Sequence, residues 1–396
     1  MPSLFLLFNQ SYSMRSGHNG LATETRKGEN YSSFLRASVA ILLAISIGFL
    51  LIGCIQDRSA EKTSLREYPV NSAQVFLSLE DAPFIGSPID MKAAVDGLFI
   101  VDGAHNQIIK VDAEGKRLLS FGKRGRGPGE LQSIAGFWPF KDEYLVYDYN
   151  SFKFLTFDHL GGLIDEELLN ENPIHSESEF NIPITLDALS SKKLIIPTGG
   201  RKGSLFAIAD RINGDVTYAG KAVGKAEPEY NNRDVTEALS GGEIPEVMLN
   251  MVLLSSSSDA IYSLQQTTGI LEKYTHTGEH VWEMELNIPA QKHLFDRISD
   301  HNRGIDSDGK PRLFIYARAM DAREGGVALQ LNMPDDQPFT IAWVPEDGTR
   351  IDLIKVEGIT PDAHGFMEGF TVSPDGEHAY YLKRSTGMIF QFIWPL

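Results

Sequence analysis

The chain has 396 residues, 42% hydrophobic and 22% charged, with 53 acidic against 36 basic side chains and a formal charge of −17. That acidity excludes an ordinary nucleic-acid binder, because phosphates demand clustered Lys and Arg. The single cysteine, Cys54, has no second thiol to pair with, so packing alone must hold the fold, and a chain this long has the apolar surface to do so.

The first 35 residues are rich in Ser, Asn and Gly and fit neither a compact signal nor a folded domain; Met14, followed by Arg15, offers a later start. Arg36 then precedes a charge-free apolar run, Ala37 to Gly53, that ends in Leu51, Ile52, Gly53 and Cys54. A small residue directly before a unique cysteine suits a bacterial lipoprotein signal, with peptidase cleavage after Gly53 and the lipid carried on Cys54. The competing reading is a transmembrane helix, since about 20 uncharged residues just span a bilayer. Cleavage would remove four basic and two acidic residues and move the formal charge from −17 to −19. Residues 1–53 are therefore read as leader and signal, and 54–69, with Gln56, Asp57, Arg58, Glu61 and Lys62, as a polar tether. Ile55 is not the aspartate that retains some proteobacterial lipoproteins at the inner membrane, and no dense acidic run follows it. The expected location is the outer membrane facing the periplasm, with the cell surface as the alternative.

From Val70 to Leu396 one pattern recurs: a short β-branched or aromatic strand, a polar turn, a second strand, a turn and a third. The clearest copy runs through Gly97–Asp102, Gln107–Asp112 and Arg117–Phe121, and the next through Glu143–Asp148 and Phe152–Asp158. The aspartates closing their first strands, Asp102 and Asp148, stand 46 positions apart. Weaker copies begin near Lys193, Ala260, Arg312 and His378, making six. Multi-stranded repeats of this period predict an all-β, six-bladed propeller, whose sheets must stack because none buries both faces alone. The last copy holds only three strands, and Gln74 to Glu80, alternating apolar and polar, is expected to supply the fourth and close the ring. A helical insert is expected only within Arg233 to Met251.

Between the first two copies lies Phe121, Gly122, Lys123, Arg124, Gly125, Arg126, Gly127, Pro128, Gly129, Glu130 and Leu131. Together with the strand pattern this segment resembles the TolB-like six-bladed propellers of Bacteroidota envelope lipoproteins, and the Gly127, Pro128, Gly129, Glu130 run is its most specific part. The resemblance implies the propeller fold and an envelope location; most of that family has no assigned activity. From the residues themselves, Gly125, Gly127 and Gly129 permit positive φ and Pro128 stiffens the turn, which predicts a tight crossing between blades. An anion cradle is the rival reading, weakened by Glu130 and by the lack of a following helix.

No Gly-x-Ser-x-Gly elbow or His-Glu-x-x-His pair is present, and there is no room for the α/β catalytic domain of propeller-bearing peptidases. An axial divalent ion of the lactonase or esterase type would need carboxylates and amides from several inner strands, for which Glu80, Asp90, Asp102, Asp148 and Asn150 are candidates. Asp102 and Asp148 read more naturally as turn formers, as does Asp306 to Gly309, which lacks the later glutamate of a calcium loop. Trp138, Tyr147, Tyr149, Trp282, Trp343 and Trp394 are read as packing between blades rather than as a sugar platform. The expected function is a non-catalytic, membrane-anchored binding module for a protein or glycan partner, with no cofactor, no metal and no nucleic acid; the alternative is the metal-dependent hydrolase.

Overall fold

The computed structural model describes residues 64–71, 73–168, 186–224, 232–305, 311–334, 336–361 and 369–396. Its strands form six separate sheets that follow one another along the chain. Blade 1 comprises β3 (Pro88–Ala94), β4 (Gly97–Asp102), β5 (Gln107–Val111) and β6 (Arg117–Phe121). Blade 2 comprises β7 (Ile134–Pro139), β8 (Glu143–Asp148), β9 (Lys153–Asp158) and β10 (Leu163–Leu168). Blade 3 holds β11 (Asp187–Ser190), β12 (Lys193–Pro197), β13 (Phe206–Asp210) and β14 (Val216–Ala219), and blade 4 holds β15 (Val252–Ser256), β16 (Ile261–Gln265), β17 (Ile270–Tyr274) and β18 (His280–Glu285). Blade 5 is β19 (Ala317–Arg323), β20 (Gly326–Leu331), β21 (Phe339–Pro345) and β22 (Arg350–Val356), and blade 6 is β23 (Gly369–Val372), β24 (His378–Lys383) and β25 (Met388–Ile393).

The ring closes as the repeat count requires. Strand β2 (Gln74–Leu77) pairs antiparallel with β25, setting Gln74 opposite Gln391, and supplies the missing outer strand of blade 6. The first strands of successive blades neighbour one another around the axis, with β23 returning to β3. One strand was not legible in the sequence. β1 (Ser64–Val70) adds in parallel to β22 as a fifth strand of blade 5, so residues 64–69, read as tether, belong to the sheet.

The middle strands are continuous apolar runs because each sheet is covered on both faces. Alternation sends Leu98 and Ile100 against Tyr380 and Leu382 of blade 6, while Phe99 and Val101 meet Phe137 and Val146 of blade 2. The same pattern gives one apolar cluster at each of the six junctions. Trp138, Tyr147, Trp343 and Trp394 lie buried in these clusters, as expected of packing residues; Tyr149 and Trp282 are half-buried beside them.

Two expectations change. The insert after blade 3 contains α1 (Asn232–Ser240) and α2 (Glu246–Leu249), but a longer helix, α3 (Pro289–Arg303), precedes blade 5. Arg312 to Tyr316, read as the copy's strand, runs extended outside any sheet. Its backbone is taken instead by side chains: Asn302 brackets Arg312 through its Nδ2 and Oδ1, and Gln266 Oε1 accepts from Tyr316 N–H at 2.8 Å. Phe314 packs on Leu239, Met248 and Ile298, so the helices and this segment share a satellite core.

Candidate functional site

The glycine-rich crossing after β6 folds around its own acid. Glu130 Oε2 accepts from Gly127 N–H at 2.8 Å, Lys123 Nζ lies 3.0 Å from Glu130 Oε1, and Gly125 N–H donates to Leu131 O. These donors hold the Glu130 carboxyl below the usual range. A Cβ on Gly125 would sit 1.9 Å from Glu130 Oε2, so that glycine makes space for the carboxylate. Of the three glycines expected to use positive φ only Gly129 does so, at 72°, while Gly125 and Gly127 are there for clearance. The position an external anion would need is thus filled internally. Gly129 N–H donates to Glu166 Oε2 of β10 at 2.9 Å, and this contact fastens the loop containing Pro128 to blade 2.

Asp102 and Asp148 are turn formers. Asp102 is fully buried and accepts from Gly86, Ser87 and Ala104 N–H, from His105 Nδ1 and from Gln107 Nε2. Burial alone would push its carboxyl up, but these donors outweigh it and hold the group below the ordinary aspartate value. Asp148 repeats the device, taking Gln132 and Ser133 N–H and the Ser151 hydroxyl. In blades 1 and 2 the aspartate ends the second strand and pins the entry to the first. Glu80 and Asn150 lie exposed in turns, and of the five proposed ligands only Asp90 lies on the first strand of a blade. No three of the four carboxylates, Glu80, Asp90, Asp102 and Asp148, come within ligand reach of one another among the described residues.

The axis is instead lined by a girdle of side-chain hydrogen bonds, since neighbouring inner strands share no ladder. Trp138 Nε1 of β7 and Ser256 Oγ of β15 both donate to Asp187 of β11, at 2.7 and 2.8 Å. Ala322 N–H donates to Ser255 Oγ, Val372 N–H to Asp321 Oδ2 and Ala93 N–H to Thr371 Oγ1. Lys92 of β3 interacts with three carboxylates from alternate blades, Asp90, Asp187 and Asp321. Burial would lower the pKa of its ammonium, yet these carboxylates outweigh burial and raise it. Burial raises Asp90, with Lys92 opposing.

On the outer side, Pro128, residues 165–168 of β10, Arg211 and Ile212 line a cleft of about 570 Å³ between blades 2 and 3. Arg211 is buried; its Nη2 and Nε donate to Glu167 Oε2 at 2.8 and 3.2 Å, and its guanidinium lies 4.6 Å from the Phe154 ring centre. Its Nη1 is shielded and has no partner. Leu163, Ile164, Leu168 and Ile212 are exposed on and beside β10, whose carboxylates are Asp165, Glu166, paired with Lys153 Nζ at 3.1 Å, and Glu167, paired with Arg211. Nothing in the sequence marks the cleft except that β10 reads LIDEEL, an outer strand with too many apolar side chains for solvent.

The lipidation position Cys54, the signal residues Leu51, Ile52 and Gly53, and Asp306 to Gly309 lie outside the described residues. No family model matches the sequence, and no curated protein matches it. Among solved structures, a "putative exported protein" of Bacteroides fragilis is similar, at 10% identity over 83% of this chain and 99% of that one, with a TM-score of 0.50. A catalytically inactive virginiamycin B lyase from Staphylococcus aureus is similar at 10% identity over 82% and 89%, with a TM-score of 0.42. At such identities the likeness is one of fold, and the chain is a six-bladed β-propeller.

Proposed function

We propose that the protein is an envelope lipoprotein of the TolB-like propeller kind, held by a lipid on Cys54 at the outer membrane, whose propeller docks a protein partner without catalysis. The observation that carries this reading is the cleft between blades 2 and 3, where exposed Leu168 and Ile212 stand beside Asp165, Glu166 and Glu167. Apolar side chains set among carboxylates suit a partner segment that combines apolar with basic residues. A glycan is the weaker partner, because four of the six aromatics that could have formed a platform are buried between blades. The similarity to a Bacteroides fragilis protein named as exported supports the envelope location.

Mild cross-linking in cells followed by affinity purification tests the proposal. The full-length protein should retain one envelope partner, Leu168→Arg should lose it while remaining membrane-bound, and Cys54→Ala should lose membrane attachment. Equal recovery of the partner by Leu168→Arg would refute the assigned face.

A further inference from the structure

Blade 4 carries a second group of chemistry-bearing side chains, remote in sequence from the girdle ligands on β3 and β19. Glu272 of β17 and Glu283 of β18 stand directly opposite each other, on one face of the sheet. Like charges in that relation repel, and Glu272 is 6% exposed, so water offers little relief. The register shifts between Lys273 and Tyr274, which brings His280 opposite Tyr274 and beside the pair. One ligand atom from each of Glu272, His280 and Glu283 lies within 4.8 Å of the others.

The surroundings hold these groups in place. Tyr274 OH donates to Glu272 Oε1 at 2.8 Å, and its ring packs edge-on against the His280 imidazole at 5.4 Å. Gln265 Nε2 stands 3.5 Å from Glu272 Oε2. A separate observation points the same way. Ser263 of β16 faces Glu272 from the other flank of the row, is completely buried, and its Oγ has no hydrogen-bond partner. A buried hydroxyl left without a partner beside a buried carboxylate leaves the hydrogen bonding of this polar row incomplete.

We propose that Glu272, His280 and Glu283 bind a divalent transition ion, best matched by zinc. An imidazole with two carboxylates is a donor set for such ions rather than for magnesium or calcium, which favour oxygen alone. Tyr274 and Gln265 are positioning residues that orient the Glu272 carboxylate. His280 and Glu283 are exposed, so the remaining coordination position opens to solvent at the outer part of blade 4.

The test uses the full chain carrying Cys54→Ala, which removes the only thiol, purified in mild detergent and stripped with a chelator. Zinc is titrated in competition with a chromogenic chelator. One equivalent should bind, and His280→Ala and Glu272→Gln should each weaken it at least tenfold, with His276→Ala unchanged. Zinc should also raise the melting temperature of the parent and not that of His280→Ala. His280 is a surface residue, so its variant folds even where a change at buried Glu272 does not. Absence of saturable zinc binding by the parent, or equal affinity in His280→Ala, overturns the site.

Discussion

Replacing Asp102 with alanine removes the acceptor of three backbone amides and of the His105 and Gln107 side chains, at 2.5 to 3.2 Å, from a position with no solvent access. A hydrogen bond to a charged group contributes about 1.5–3 kcal/mol, and a stranded buried donor costs about 1–3 kcal/mol. The five bonds share one carboxylate and are not additive, and His105 and the exposed amides recover water, so roughly 3–5 kcal/mol is expected for the whole substitution. For a domain spanning Ser64–Leu396 the unfolding entropy is about 0.7 kcal/mol/K, so the melting temperature should fall by roughly 4–7 °C. The carboxyl is held below its unfolded value, so its contribution is complete above about pH 4 and is lost as pH falls through the folded pKa. The gap between parent and variant should therefore persist from pH 7 to about pH 5 and narrow below pH 4. Differential scanning calorimetry at several pH values measures it. A variant melting within 1 °C of the parent, or a deficit that appears only when divalent metal is supplied, would refute the role of turn anchor.

Lys92→Met should leave Asp90, Asp187 and Asp321 without their ammonium and cost about 3 kcal/mol at pH 7 in urea unfolding, with partial recovery at pH 5 as a carboxylate takes up a proton. In the parent the raised Lys92 pKa means its contribution is intact below the unfolded lysine value and fades as pH rises through the folded one, so the Lys92→Met deficit should shrink above about pH 10.5. Gly125→Ala should drive Glu130 from its amide donor, seen as at least tenfold faster hydrogen exchange at Gly127 N–H with the global melt little changed. Truncation to Ser64 should leave a cooperative fold, whereas truncation to Glu80 removes β1 and the closing strand β2 and should abolish cooperative unfolding.

The sequence revealed the ring because its strongest copies keep apolar residues on both sides of each middle strand, as in Leu98 to Val101, and a turn-forming aspartate at a fixed spacing. Closure was legible in the alternation of Gln74 to Glu80. One failure depended on side chains bonding to the backbone. Arg312 to Tyr316 has a strand's composition, but Asn302 and Gln266 claim its amides. Helix α3 was hidden because only Gln291, Ile298 and Asn302 are buried on it, leaving a faint apolar stripe, although Pro289 at its first turn and Gly304 after it were signals available to be read. β1 was missed because it is nearly all exposed, as the outermost strand of a sheet can be. The site reading anticipated that Asp102 and Asp148 would serve turns. It could not foresee Lys92 among three aspartates, since β3, β11 and β19 meet only at the axis.

The docking claim is tested most directly by a photoactivatable cross-linking residue at Ile212, which is 61% exposed in the cleft, and, as a control, at Val95, which is 89% exposed in the turn between β3 and β4. Illumination of cells carrying the anchored protein should trap one protein at position 212 and none at 95. Adducts of equal pattern at both positions, or none at 212, would contradict a docking face between blades 2 and 3.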